Sequence, residues 1–194
     1  IKDSENIKCK SLILATGGRA AHYLGSTGDG LYWAQKLGHT LTPIYPSLVP
    51  LETEEEWVKD IQGIKTDAVV KAFIDDRLIS CGEGDLLFTT YGLSGPAVMS
   101  ISGRIAPLLD KSRINLLLDL LPLYSKNDLM SHIINITDRY KHIKISDILS
   151  FMINNILAMK ILCLLQINDT DAHKISQKDF EKIVDYIKEM KLHV

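Results

Sequence analysis

Residues 12–30 of the chain read LILATGGRAAHYLGSTGDG. The apolar run Ser11–Ala15 predicts a short buried strand. It stops at Thr16-Gly17-Gly18, where two glycines let the backbone turn with positive φ or approach a ligand closely. Thr27-Gly28-Asp29-Gly30 then opens a helical pattern over Asp29–Leu37, with Leu31, Ala34 and Leu37 on one face. Gly38 stands where a left-handed C-terminal residue belongs. Either glycine motif alone is common. Both in this order, behind a buried strand, make a more specific signal.

Downstream the pattern changes to β. Thr40–Leu51 is extended but interrupted by Pro43, Pro46 and Pro50, as an edge or irregular strand would be. Ala68–Ile74 and Arg77–Cys81 flank Asp75-Asp76, a hairpin signal. Gly82-Glu83-Gly84 reads as a turn before another strand over Asp85–Thr90. Ser94-Gly95-Pro96 starts a short helix with Ser94 as its cap and proline in the first turn. Arg113–Leu120, rich in Ile and Leu, predicts a strand buried on both faces. From Pro122 onward the pattern is helical. Ser125-x-x-Asp128 and Ser176-x-x-Asp179 resemble capping boxes. Phe180, Ile183, Val184, Ile187 and Met190 mark the apolar face of a last helix. A helix or pair of helices falls between Ser146 and Gln166, and His193-Val194 begins a strand.

The totals restrict the function classes. The chain has 194 residues, 46% of them hydrophobic and 24% charged, and a net charge of −2. That suits a soluble globular protein with a substantial core. It gives no reason to expect a nucleic-acid or anionic-membrane partner. No apolar stretch is long enough to span a bilayer. Cys9, Cys81 and Cys163 are odd in number, lie far apart and form no CxxC, which fits free thiols in a reducing, cytoplasmic setting. None of the six histidines falls in a metal-binding arrangement, so no metal site is expected. A GxSxG elbow is absent, against a hydrolase. His22 and Tyr23 are the His–Tyr pair nearest the glycine motifs, and packing is the expected role of His22. The acidic run Glu52–Glu56 reads as a solvated loop.

Three blocks carry a resemblance: LILATGGRAAHYLGSTGDGLYWAQKLGHTLTPIYPSLVPLE, LLFTTYGLSGPAVMSIS and INLLLDLLP. Their order and spacing over residues 11–122 resemble the HI0933-like flavoproteins, the YhiN/BaiN-type NAD(P)/FAD-dependent oxidoreductases. The resemblance implies an α+β fold. A small β-barrel-like sub-domain (41–120) and a helical bundle (121–194) would be inserted in an FAD-binding domain, whose strand-turn-helix remnant is residues 1–40. It implies that Ala15, Thr16, Gly17 and Gly18 lie along FAD, and that Thr27, Gly28 and Asp29 approach it. NAD(P)H is the implied electron donor and a small molecule the implied acceptor. The rest of the FAD-binding domain is then the chain's own partner, with no nucleic acid and no membrane. No Gly-rich pyrophosphate loop precedes Leu12, so the chain is expected to be a piece of a larger flavoenzyme and inactive alone. Family members often carry His where this chain has Thr90, in Phe88-Thr89-Thr90-Tyr91-Gly92, and no catalytic residue is assigned. The competing expectation is a non-catalytic interaction or substrate-binding module.

Overall fold

The computed structural model describes residues 8–194 and divides at Ile44/Tyr45 into two compact units. In the first, helix α1 spans Asp29–Lys36 as the periodicity predicts, and Gly38 is left-handed at φ 96°. Leu12–Ala15 forms no strand: Ile13 is 89% exposed, and no neighbouring backbone pairs with this segment among the described residues. The apolar pattern is real, but a strand forms only where another strand supplies its ladder bonds.

The second unit contains one six-stranded antiparallel sheet. The strands are β1 (Leu51–Glu52), β2 (Lys65–Ile74), β3 (Arg77–Phe88), β4 (Gly92–Ser94), β5 (Asn115–Asp119) and β6 (Met190–His193). Their order across the sheet is β1-β4-β3-β2-β5-β6. The sheet curls into a half-barrel, because the chain leaving β1 meets β6 at the far edge. Glu54 N donates to His193 O at 2.9 Å, and His193 N donates to Glu55 Oε2 at 3.1 Å. Arg113 grips Glu54 with two guanidinium nitrogens, which holds that carboxyl below the usual carboxylate range. The edge groups that would template aggregation are thus partly consumed.

The β2–β3 hairpin turns at Asp75-Asp76 as expected, but β3 does not break at Gly82-Glu83-Gly84. Gly82 instead admits helix α2 (Pro96–Ile105) against the strand. The helix cap is Gly95, at φ 94°, with no side-chain cap; Ser94 belongs to β4. Leu116 and Leu118 of β5 face the core while their neighbours are half-buried, so this strand is one-sided. Helices α3 (Lys126–Arg139), α4 (Ile145–Ser150), α5 (Asn155–Leu164) and α6 (Gln177–Lys188) follow. The Ser125–Asp128 capping box is complete. At α6, Ser176 accepts from Asp179 N. Phe180, Ile183, Val184 and Ile187 of α6 are buried as the spacing requires, whereas Met190 has already entered β6. Sheet and helices share one apolar core, running from Ala68, Val70 and Phe88 through Ile101 to Leu129, Ile161 and Ile183.

Candidate functional site

Within residues 8–44 the two glycine motifs come together. A Cβ on Gly30 would lie 1.9 Å from Thr16 Oγ1, and one on Gly28 would lie 2.8 Å from Arg19 Nε. Glycine at 28 and 30 leaves room for the Arg19 and Thr16 side chains against the start of α1. Gly28 is left-handed, at φ 85°, and caps the helix without a side-chain bond. The first intrahelical bonds go from Leu31 N and Tyr32 N to Gly28 O. The amides of Asp29 and Gly30 thus stand at the helix's positive end without a backbone acceptor there, the arrangement that receives anionic or polar ligand groups. Ala15, Thr16, Gly17, Gly18, Thr27 and Asp29 are exposed, and Gly28 is buried. Nothing lies within 4 Å of where a Cβ on Gly18 would stand, so this backbone is open to approach. His22 is exposed and meets Tyr23 edge to face at 5.9 Å, with no acid–base partner among the described residues.

The second Gly-rich segment is the β3–β4 connection. Thr89 organises it: its Oγ1 donates to Gly92 O at 2.9 Å and accepts from Gly92 N at 3.1 Å. Thr53 N, following β1, donates to Tyr91 O at 3.1 Å. Gly92 and Gly95 are both at positive φ, and a Cβ would meet Leu51 O at 2.2 Å and Asp85 O at 2.4 Å respectively. The result is a stiff hairpin tip that presents Thr90 and Tyr91 to solvent. The motifs of the sequence point to Thr90 and leave Thr89 unmarked. Its signal was a threonine three residues before a glycine, the spacing of a hydroxyl-stapled turn.

A third site carries no local sequence signal. Lys188, at the end of α6, places Nζ 2.6 Å from Asp119 Oδ2. It also donates to Leu121 O at 2.8 Å and Tyr124 O at 2.5 Å. Asp119 Oδ1 accepts from Leu121 N. This clamp fixes the 120–124 turn as one wall of a cavity of about 290 Å³ over β2 and β3. The described residues contain no group of His, Cys, Asp and Glu able to hold a metal ion. No helix among them is long and apolar enough to cross a membrane.

Residues 45–194 match the family model described as HI0933-like protein barrel and H2TH domain. The chain is also similar to a 3-dehydro-bile acid delta(4,6)-reductase of Clostridium scindens, at 36% identity over 121 residues. That alignment covers 62% of this chain and 30% of the relative. Similarity extends to ribosomal RNA dihydrouridine synthases. The Haemophilus influenzae protein is 36% identical over 54% of this chain and 26% of its own length. The Escherichia coli protein is 33% identical over 52% of this chain and 25% of its own length. The chain thus spans between a quarter and a third of the length of the curated relatives it matches.

Proposed function

The chain belongs to the HI0933-like family, and on that premise we propose that it is part of an FAD-dependent oxidoreductase that saturates a carbon–carbon double bond conjugated to a carbonyl. One observation carries the reading. The relatives' names, a delta(4,6)-reductase and dihydrouridine synthases, both describe hydrogenation of such a bond. In this reading NAD(P)H is the electron donor, the acceptor is a small molecule, and the rest of the FAD-binding domain is the chain's own partner.

The residues present fit a flavin dinucleotide. The open backbone of Ala15–Gly18 and the uncapped start of α1 at Gly28-Asp29 would hold its polar groups. Bound there, FAD would supply the hydride for the β-carbon of the acceptor. The α-carbon must then gain a proton. Thr90, whose hydroxyl does not titrate near neutral pH, can pass a hydrogen bond but is no acid.

Two expected results test this reading in the full-length protein, purified and followed by its visible flavin bands. First, Asp29→Ala should lose flavin while its folding stability falls by no more than a lost first-turn carboxylate costs, about 0.3–1 kcal/mol. Full flavin occupancy in that variant would reduce Asp29 to a helix-end charge. Second, Thr90→His should add an ionisation near pH 6.5 to the pH profile of enone-dependent NAD(P)H oxidation. An unchanged profile and unchanged flavin bands would remove the β3–β4 tip from the redox site.

A second reading, reduction of a uracil within RNA, is favoured by the two synthase names. Charge weighs against it on this part of the protein. Among the described residues, nine lysines and arginines are tied to carboxylates: residues 59, 65, 113, 126, 144, 160, 174, 182 and 188. The other twelve described lysines and arginines are in no ion pair among the described residues, so what weighs against a phosphate-rich partner is the chain's net charge of −2. Turnover of ribosomal RNA without turnover of a free cyclic enone would decide for the second reading.

A further inference from the structure

We propose that the cavity between the β2–β3 hairpin and the turn after β5 is a binding site for a small organic ammonium ion with an apolar ring body. The proposal does not depend on the flavin reading. At about 290 Å³ the cavity lies at the small end of ligand pockets. One side is apolar: Leu121, Pro122, Leu123 and Tyr124 from the turn, with Met152 from the α4–α5 connection. Methionine adapts to irregular ring shapes. The opposite side is the strand backbone around the cross-strand pair Ala68–Gly84.

The apolar wall is held ready. Leu123 is 93% exposed, so its apolar surface is free to meet a ligand. It cannot simply fold away, because Lys188 and Asp119 fix the backbone on both sides of it. Tyr124 is held edge to face against His132, with ring centroids 5.8 Å apart. A wall fixed in advance loses little entropy when a ligand arrives.

The rim sets the charge of the ligand. Asp67 and Glu83 line the cavity from outward positions on adjacent strands, and neither is in an ion pair among the described residues. Their neighbour Asp85 is neutralised by Lys65 at 2.6 Å. Lys65 also feels the charge of Asp67, so one ammonium serves two carboxylates, and Glu83 has no cation partner among the described residues. This leaves the rim net negative beside an apolar wall, attracting a cation and repelling an anion of the same shape.

The test uses three indoles that share a ring body and differ in charge: tryptamine, tryptophol and indole-3-propionate. Each is titrated into the 194-residue chain at neutral pH and low salt, followed by amide chemical shifts. Tryptamine should give saturable shifts at Ala68, Gly84, Leu121 and Leu123. It should bind at least roughly threefold more tightly than tryptophol, with the anion weakest, and the difference should shrink with added salt. Glu83→Gln and Asp67→Asn should each bring tryptamine towards tryptophol and leave tryptophol unchanged. Because both sites are exposed, these variants fold. Equal binding of the three indoles, shifts centred elsewhere, or no saturation would overturn the proposal.

Discussion

Gly82→Val is expected to remove a large part of the stability of the 45–194 unit, although Gly82 looks from the sequence like a turn residue. A Cβ there would lie 2.1 Å from Ala97 O and 2.6 Å from Ser100 Oγ. The serine can rotate away, but a helix carbonyl cannot. Helix α2 would have to lift from β3, taking Ala97, Val98 and Ile101 out of the shared core. Overpacking alone costs about 1–3 kcal/mol and occasionally more. Lost burial of three apolar side chains adds to it, so at least about 4 kcal/mol is expected from a total stability of about 5–15 kcal/mol. Gly82→Ala should show a smaller loss of the same kind. Gly18→Ala is the matched control: its Cβ meets nothing within 4 Å, so denaturation should move by less than about 0.5 kcal/mol. Urea unfolding of the three variants checks the order. A Gly82→Ala protein as stable as the parent would mean that α2 does not need this approach.

That case shows where sequence reading succeeds and where it stops. Periodicity identifies α1 and α6 because each has an apolar stripe and a local terminus signal, Gly38 or a serine cap, while α3 is announced by its serine cap. The Asp75-Asp76 hairpin is legible for the same reason, since its turn chemistry lies within four residues. Gly82-Glu83-Gly84 is not. Glycine serves both a turn and a close approach, and the choice here is made by a helix fifteen residues downstream. Leu12–Ala15 fails in the other direction. Its apolar run is a true local signal, but strand formation depends on a partner backbone that no local pattern encodes. The closure of the half-barrel at Glu54, Glu55 and His193 joins positions nearly 140 residues apart, with only a loose acidic run to announce it.

The candidate cofactor residues were legible as a pair of glycine motifs. What could not be read was their mutual contact, in which Thr16 rests on Gly30 and Arg19 on Gly28. The Thr90-Tyr91 tip owes its stiffness to Gly92 and Gly95, both plain in the sequence, and to the hydroxyl staple of Thr89. The Lys188–Asp119 clamp was invisible. A lysine at the end of an amphipathic helix ordinarily reads as a solvated charge complementing the helix dipole.

Lys188→Met should therefore cost far more than a surface lysine does. The side chain is only 10% exposed and its three ammonium hydrogens are all engaged, by Asp119, Leu121 O and Tyr124 O. Methionine keeps most of the stem's packing and removes only the charge and the donors. Asp119 would be left three-quarters buried without its cation, and two carbonyls would lose their partner. Breaking a fully buried pair costs about 3–5 kcal/mol. Asp119 retains some water, so about 2–3 kcal/mol is expected, or roughly 4–12 °C in Tm for a domain of this size. The double variant Lys188→Met/Asp119→Asn separates the charge from the packing. It should lose less than the sum of the two single changes, because the second removes the stranded carboxylate that makes the first so costly. The same variants should loosen the 120–124 turn, which faster amide exchange at Leu121 and Tyr124 would report ahead of global unfolding. Losses that simply add, with a Tm within a degree of the parent for Lys188→Met, would show that the turn holds its shape through Pro122 and core contacts alone.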